Sequence, residues 1–165
     1  MITEALRLKA SKIKLVVTDI DGVWTDARIY YSDQGEVMKA FSYYDGMATA
    51  LLTKVGIPTA IITGENSQPV ALRAKKLKLD DVFLGIEDKL EVFESLLKKY
   101  NLEPSEVAYI GDDLNDYTVM QVAGLTASPS SSPAFHILKP DILLQRAGGD
   151  GAFREFADII IASQS

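Results

Sequence analysis

Short apolar runs that each end in polar or turn residues alternate with helical patterns along this chain of 165 residues. The runs are continuous rather than alternating in polarity, which is typical of strands buried on both faces. Such strands separated by helices predict an α/β fold, a doubly wound parallel sheet with helices on both sides. The predicted strands are residues 14–18, 57–63, 82–84, 107–110, 126–128 and 142–144, and the predicted helices are residues 46–55, 69–77, 89–100, 114–122 and 152–162.

One segment departs from this alternation directly after the first predicted strand. Residues 28–31 (RIYY) and 36–41 (EVMKAF) are prone to form strands and flank a turn that ends at Gly35, which predicts an inserted β-hairpin. The inserted segment is too short to form a second domain, so we predict one domain over residues 1–165 with no cap domain. The strand edges and apolar residues of the hairpin need a cover, which favours an oligomer.

Two acidic motifs follow the first and the fourth predicted strands, DIDG at residues 19–22 and GDDLND at residues 111–116. Ligands in sheets of this kind lie at the carboxyl ends of the strands, so we expect these carboxylates to converge. Each close pair of carboxylates repels by about 4 kcal/mol at an effective dielectric constant near 20, unless a cation lies between them. The motifs therefore predict a metal site, and the candidate ligands are Asp19, Asp21, Asp112, Asp113 and Asp116.

Composition limits the kind of metal and the kind of partner. The chain has no cysteine and a single histidine, His136, so thiolate and multi-histidine sites are excluded and Mg²⁺ held by oxygen atoms is favoured. A net charge of −6 without a basic run disfavours nucleic acid as a partner. We find no apolar stretch of about 20 residues for a membrane span and no signal-peptide core in residues 1–14, so we expect a cytoplasmic protein that acts on a small molecule.

Two further positions suit an anion at the same edge of the sheet. Thr63 and Gly64 end the second predicted strand just before a helix, so a hydroxyl group and free backbone N–H groups meet there. Lys89 begins the helix after the third strand and brings an ammonium group to this edge. The chain therefore presents an acidic pair, a threonine, a lysine and a second acidic motif in that order.

This ordered set resembles the four motifs of the haloacid dehalogenase (HAD) superfamily of aspartyl phosphotransferases: DIDGV at residues 19–23, ITG at residues 62–64, Lys89, and GDDLND at residues 111–116. The hairpin, the small size and the segment GGDGAFRE at residues 148–155 resemble one branch, the 3-deoxy-D-manno-octulosonate 8-phosphate (KDO-8-P) phosphatase family with its nine-carbon sugar-acid relatives. The resemblance implies a Rossmann-like HAD core, a sugar-acid phosphate as substrate, and a homotetramer in which the hairpins pack together.

The resemblance also implies roles for the acidic residues. Asp19 would be the nucleophile that becomes an aspartyl phosphate, and Asp21 the acid/base that protonates the leaving oxygen and then activates water. Asp19, the backbone carbonyl of Asp21 and Asp112 would hold Mg²⁺, with Asp113 and Asp116 in supporting positions.

The substrate contacts implied by the resemblance involve six positions: Thr63, Gly64, Glu65, Lys76, Lys89 and Arg154. Thr63 and Lys89 would bind the phosphoryl oxygens. Arg154 would bind the substrate carboxylate in a neighbouring subunit's site, whereas its local alternative is an i,i+4 ion pair with Asp158. Glu65 stands where octulosonate phosphatases often carry a basic residue, which together with Lys76 favours a nine-carbon substrate.

Several functions remain open at this point. The main prediction is an Mg²⁺-dependent phosphatase for a 2-keto-3-deoxy sugar acid of the KDO-8-P type. The alternatives are a phosphatase for 2-keto-3-deoxynononate 9-phosphate or N-acylneuraminate 9-phosphate, and a non-catalytic oligomerisation module with the same fold. A receiver-type signalling domain would carry its acidic pair, phosphorylated aspartate, threonine and lysine in a different order. Intact Asp19 and Asp21 argue against the module.

Overall fold

A computed structural model of the protein describes residues 2–164. Its strands are β1 (Leu15–Thr18), β2 (Tyr30–Ser32), β3 (Gly35–Met38), β4 (Thr59–Ile62), β5 (Asp81–Phe83), β6 (Val107–Ile110), β7 (Leu125–Ser128) and β8 (Ile142–Leu143). Its α-helices are α1 (Glu4–Ala10), α2 (Tyr43–Lys54), α3 (Gln68–Lys76), α4 (Lys89–Tyr100), α5 (Tyr117–Met120), α6 (Phe135–Leu138) and α7 (Ala152–Ala162), and 3-10 turns occupy Pro104–Glu106 and Leu114–Asp116. Within this part of the chain, no helix has the length and apolar character needed to cross a membrane.

Six of the strands form one parallel sheet in the order β5-β4-β1-β6-β7-β8. From β1 the chain first adds strands on one side, β4 and β5, and then returns to the other side with β6, β7 and β8. The strand order therefore reverses between β1 and β6, and a crevice opens at their carboxyl ends. This arrangement confirms the predicted doubly wound α/β fold.

The sheet is buried on both faces because alternate residues of its strands enter two separate cores. Val16 and Ile61 face the core made with helices α2, α3 and α7, whereas Leu15 and Val17 face the core made with α4, α5 and α6. In all four residues of β1 the side chains are buried, so the strand appears in the sequence as a continuous apolar run. The layers fix the carboxyl ends of β1 and β6 as a rigid base for the site.

Strands β2 and β3 form the predicted hairpin as a separate antiparallel sheet. Both strands are shorter than the predicted ranges of 28–31 and 36–41, and the ladder shifts register between Tyr30 and Tyr31. Phe41 lies beyond β3 and packs against the core beneath Arg73, so it does not belong to the outer face of the hairpin.

Helix α2 begins three residues before the predicted range of 46–55, and the larger remaining differences concern short elements. The helix predicted over residues 114–122 is a 3-10 turn followed by the single turn α5, because Asp113 and Asp116 form a capping box that fixes the first residues in the tighter form. Helices α1 and α6 were not predicted. They have seven and four residues, which is too short for a clear apolar period in the sequence.

Candidate active site

The first acidic motif begins where β1 ends, and its backbone is tied to the neighbouring strand. The Asp19 N–H donates to the Ile110 carbonyl at 3.0 Å, and the Asp19 side chain is buried in the crevice. The chain then makes a tight turn, in which the Trp24 N–H donates to the Ile20 carbonyl at 2.8 Å. Gly22 adopts φ +83°, and a Cβ atom there would lie 1.8 Å from Asp112 Oδ2. Only glycine at this position lets the two acidic motifs approach each other.

The turn after Asp19 is held from behind by the C-terminal part of the same chain. Trp24 donates its indole N–H to Thr18 Oγ1 at 3.0 Å, and its ring packs against Phe153 of α7 with 4.9 Å between centroids. A Cβ atom on Gly148 would lie 1.9 Å from the Gly22 carbonyl oxygen, so Gly148 must be glycine for this packing. The Gly148–Gly149 segment thus supports the first motif within its own subunit.

Lys89 lies beside the nucleophile candidate, as predicted for a residue at the same edge of the sheet. Its side chain is 1% exposed, and Nζ lies 3.0 Å from Asp19 Oδ1 and 2.7 Å from Asp116 Oδ1. Burial acts to lower the pKa of Lys89, but the charges of Asp19 and Asp116 outweigh it and raise the pKa above its ordinary value. Lys89 is therefore a fixed ammonium group between two carboxylates.

Asp116 uses both of its carboxylate oxygens to organise the second motif. Oδ1 accepts hydrogen bonds from Lys89 and from the Tyr109 hydroxyl, at 2.7 and 2.5 Å. Oδ2 accepts from the backbone N–H groups of Asp112 and Asp113, at 2.9 and 3.3 Å. The contribution of Tyr109 was missed because it lies in an apolar run and looks in the sequence like a core residue.

Carboxylate oxygens of Asp19, Asp112 and Asp116 lie within 4.8 Å of one another, and all three side chains are buried. Burial and the Asp116 charge raise the pKa of Asp19 to about 7. Burial together with the charges of Asp19 and Asp116 raises the pKa of Asp112 to about 8. Both pKa values rise because negative charges lie close together and away from water, and a bound hard cation would stabilise these charges. The donor set therefore fits Mg²⁺.

A cavity of about 380 Å³ opens above this cluster. Thr63, Gly64 and Glu65 line it from the end of β4, opposite the two acidic motifs. Asp113 and Asn115 line it as well, although Asp113 is exposed and caps the 3-10 turn through a 2.7 Å bond to the Leu114 N–H. Ala27 adds to the rim in a left-handed conformation, with φ +64°.

The second carboxylate of the first motif, Asp21, is paired with the hairpin. Lys39 follows β3, and its Nζ lies 2.5 Å from Asp21 Oδ1 and 3.4 Å from Glu36 Oε2. Glu36 accepts a very short hydrogen bond from the Ser67 hydroxyl at the start of α3. Lys39 was not predicted as a site residue, because in the strand pattern EVMKAF nothing distinguishes it from a solvent-exposed lysine of a hairpin.

Comparisons with known proteins identify this arrangement. Residues 27–124, more than half of the chain, match the family model of haloacid dehalogenase-like hydrolases. The chain is 37% identical over 156 residues to the 3-deoxy-D-manno-octulosonate 8-phosphate phosphatase KdsC of Escherichia coli (strain K12), covering 94% of this chain and 83% of that protein. The chain belongs to the KDO-8-P phosphatase family of HAD-like hydrolases. The resemblance stated from the motifs is thereby confirmed.

Solved structures of the KDO-8-P phosphatase family have the same fold. The phosphatase from Yersinia pestis superposes with a TM-score of 0.95 at 36% identity, over 99% of this chain and 88% of that chain. The phosphatase from Moraxella catarrhalis, solved with magnesium ion, phosphate ion and KDO, superposes with a TM-score of 0.93 at 37% identity, over 99% of this chain and 94% of that chain.

Two of the substrate-binding residues that the resemblance implies lie outside the cavity of their own subunit. Lys76 is exposed near the end of α3. Arg154 forms the local ion pair, with Nε 2.8 Å from Asp158 Oδ1, and its backbone N–H donates to Asp45 Oδ1 at 2.9 Å. The role of Lys76 in substrate binding and the role of Arg154 in a neighbouring subunit's site stay predictions.

Proposed function

We propose that this protein is an Mg²⁺-dependent phosphatase that removes the terminal phosphate of KDO-8-phosphate through an aspartyl phosphate on Asp19. The observation that carries the proposal is the buried contact of Lys89 with Asp19, 3.0 Å long, beside a cluster of carboxylates that fits a cation. A carboxylate cannot approach a phosphate dianion until positive charge offsets the repulsion. The relatives' substrate supports the eight-carbon sugar acid.

The residues divide the reaction between them. In this proposal Asp19 supplies the attacking oxygen, and Thr63, Gly64 and Lys89 hold the phosphoryl oxygens while the phosphorus–oxygen bond to the sugar breaks. Asp21 gives its proton to the leaving oxygen and then takes one from the water that hydrolyses the aspartyl phosphate.

We assign the cation site to Asp19, Asp112 and the backbone carbonyl of Asp21. Asp116 is more suited to hold the second motif in place, because four hydrogen bonds already occupy its oxygens. Asp113 and Glu65 belong to the rim of the cavity. A bound Mg²⁺ supplies positive charge that offsets the developing charge on the phosphoryl group.

The experiment is a phosphate-release assay over sugar phosphates of six to nine carbons, run with Mg²⁺ and with excess chelator. We expect KDO-8-phosphate to give the highest kcat/KM, activity to vanish in chelator, and Mg²⁺ to raise the melting temperature because it binds only the folded protein. Flat, low activity on every sugar phosphate would favour a non-catalytic module instead. Full activity in chelator would contradict the metal assignment.

We further propose that residues 1–165 act as one domain without a cap and assemble as a homotetramer. Within residues 2–164, the hairpin is the insertion between β1 and α2, and it is too small to cover the cavity. The hairpin and the first turns of α2 expose an apolar patch: Tyr30, Tyr31, Val37, Met38, Tyr43, Tyr44 and Met47. A patch of this kind supports an interface between subunits. The cytoplasmic location stays a prediction from the sequence.

A further inference from the structure

Lys39 is a buried cation that the phosphoryl-transfer chemistry described above does not use. Its side chain has no exposed surface, which is rare for lysine and is costly unless the charge is paired. Two carboxylates provide the pairing, Asp21 at 2.5 Å and Glu36 at 3.4 Å. Because removal of Asp21 from this pair would leave Glu36 as partner, the lysine is fixed in place by more than the acid/base group alone.

The two oxygens of Asp21 have different surroundings. Oδ1 accepts the hydrogen bond from Lys39 at 2.5 Å. Oδ2 is buried and has no hydrogen-bond partner, although Asp21 lines the cavity above Asp19. A buried carboxylate oxygen without a partner is costly, and such a cost is commonly found where a substrate group completes the contact. Asp21 therefore presents one held oxygen and one free oxygen.

The support for Lys39 reaches the phosphate side of the cavity. Glu36 accepts a hydrogen bond from the Ser67 hydroxyl, and Ser67 is the N-cap residue of α3. The three residues before this cap include Gly64 and Glu65, which line the cavity. The hairpin thus fixes the position of Asp21 relative to the loop that faces the phosphoryl group.

We propose that Lys39 is a positioning residue that holds Asp21 by Oδ1, so that Oδ2 carries the proton to the leaving oxygen. This inference rests on the proposed function. In that step an Asp19 oxygen forms a bond to phosphorus, and the bond from phosphorus to the sugar oxygen breaks. The electron pair of the broken bond stays on the sugar oxygen, which takes the proton from Asp21 Oδ2. Asp21 is left as a carboxylate paired with Lys39.

The test compares two leaving groups, because only an alkyl leaving oxygen needs a proton. KDO-8-phosphate has such an oxygen, whereas the leaving group of p-nitrophenyl phosphate is p-nitrophenolate, an anion that is stable without a proton. We expect Lys39→Met to lower kcat/KM for KDO-8-phosphate at least about tenfold and for p-nitrophenyl phosphate less than about threefold. The parameter kcat/KM is chosen because it reports the steps up to the phosphoenzyme and excludes its later hydrolysis.

A double-mutant cycle separates positioning from a structural role. In an Asp21→Asn background, Lys39→Met is expected to change kcat/KM for KDO-8-phosphate less than about twofold, since the group that Lys39 positions is already disabled. Lys39→Arg keeps the positive charge on a wider group. Its ratio of kcat/KM for KDO-8-phosphate to kcat/KM for p-nitrophenyl phosphate should lie between the ratios of the wild type and of Lys39→Met. Lys99→Met is the matched control, because Lys99 makes a 2.6 Å contact with Asp81 away from the cavity and its removal should leave the ratio at the wild-type value.

The outcomes are distinct. Failure of the wild-type protein to hydrolyse KDO-8-phosphate would count against the proposed function. Equal losses of Lys39→Met on both substrates, or an undiminished further loss in the Asp21→Asn background, would overturn the positioning role while leaving the phosphatase intact. Should Lys39→Met fail to fold, a wild-type substrate ratio in Lys39→Arg would overturn the role, and a shifted ratio would support it.

Discussion

Each aspartate of the first motif is paired with its own buried lysine. Asp19 contacts Lys89 at 3.0 Å, and Asp21 contacts Lys39 at 2.5 Å. The two lysines come from different elements, so the carboxylates are held apart and in fixed directions although a single residue separates them. Two acidic groups for which we propose different chemistry thereby have different surroundings.

Removing the charge of Asp19 tests its proposed role as the nucleophile. Asp19→Asn keeps the size of the side chain but removes the carboxylate that we propose as the nucleophile, so we expect phosphate release to fall by about 10³-fold or more. In chelator the variant should melt no lower than the wild type, because one member of a self-repelling cluster has been neutralised. Asp33→Asn, in the exposed hairpin turn, is the control. Retention of more than about a tenth of the activity would remove Asp19 from the nucleophile role.

The strained backbone at the cavity rim gives a second test. Ala27 adopts φ +64°, which costs an L-residue about 1 kcal/mol and costs glycine almost nothing. Ala27→Gly should therefore raise the free energy of unfolding by about 0.5 kcal/mol, after the added freedom of the unfolded chain is subtracted. Denaturant unfolding measures the change. Ala71→Gly, within α3, is the control and should instead lower stability by about 1 kcal/mol.

At the scale of elements, helix α7 is docked to α2 by a buried acid. Asp45 of α2 is buried, and its Oδ1 accepts a 2.9 Å hydrogen bond from the Arg154 N–H in the first turn of α7. Burial is the main cause that raises the pKa of Asp45 to about 6. Asp45 acts as a long-range cap for α7, because the N-cap residue Gly151 has no side chain that could accept this hydrogen bond.

Asp45 predicts a pH dependence of stability. Its pKa rises from about 3.8 in the unfolded chain to about 6 on folding, so its stabilising contribution is complete below about pH 4 and is lost as the pH rises through 6. Asp45→Asn keeps a cap acceptor without the charge. Its free energy of unfolding relative to the wild type should rise between about pH 4 and pH 7 and then level off.

Denaturant unfolding at several pH values measures this difference. Asp45→Ala, which loses the cap acceptor as well, should be less stable than Asp45→Asn by about 1 kcal/mol at every pH. A difference between the wild type and Asp45→Asn that does not change with pH would contradict the assignment.

The elements that were predicted well are those whose residues carry a local signal. Strand β6 and helices α4 and α7 were predicted at their observed bounds, because a continuous apolar run or a long apolar stripe marks each of them. The hairpin strands and α5 are set by a register shift and a capping box, which the apolar pattern does not record.

The candidate site divides in the same way. Its acidic motifs and Lys89 could be predicted because they follow strands of one sheet edge. Lys39, Glu36 and Tyr109 could not, because their contacts depend on how the hairpin folds back and on the burial of one strand.

At the scale of the whole molecule, the apolar patch on the hairpin and α2 predicts assembly. Val37, which belongs to this patch, is half exposed and lies on the same strand as Glu36. Val37→Asp should lower the mass measured by light scattering toward the 18.1 kDa of one chain, since a charge opposes burial of the patch. Leu8→Asp, on exposed α1, is the matched control and should leave the mass unchanged. A wild-type protein that is a fully active monomer would contradict the proposed tetramer.

The support of the first motif by Gly148 and Phe153 has a consequence for synthesis of the chain. The loop that follows Asp19 leaves the ribosome early, but its contacts at Gly22 and Trp24 require residues made about 125 positions later. A nascent chain shorter than about 153 residues therefore lacks the surface that holds this loop, even if strands of its sheet have already paired. Hydrolytic competence should arise late during translation, as one of the last properties that the growing chain acquires.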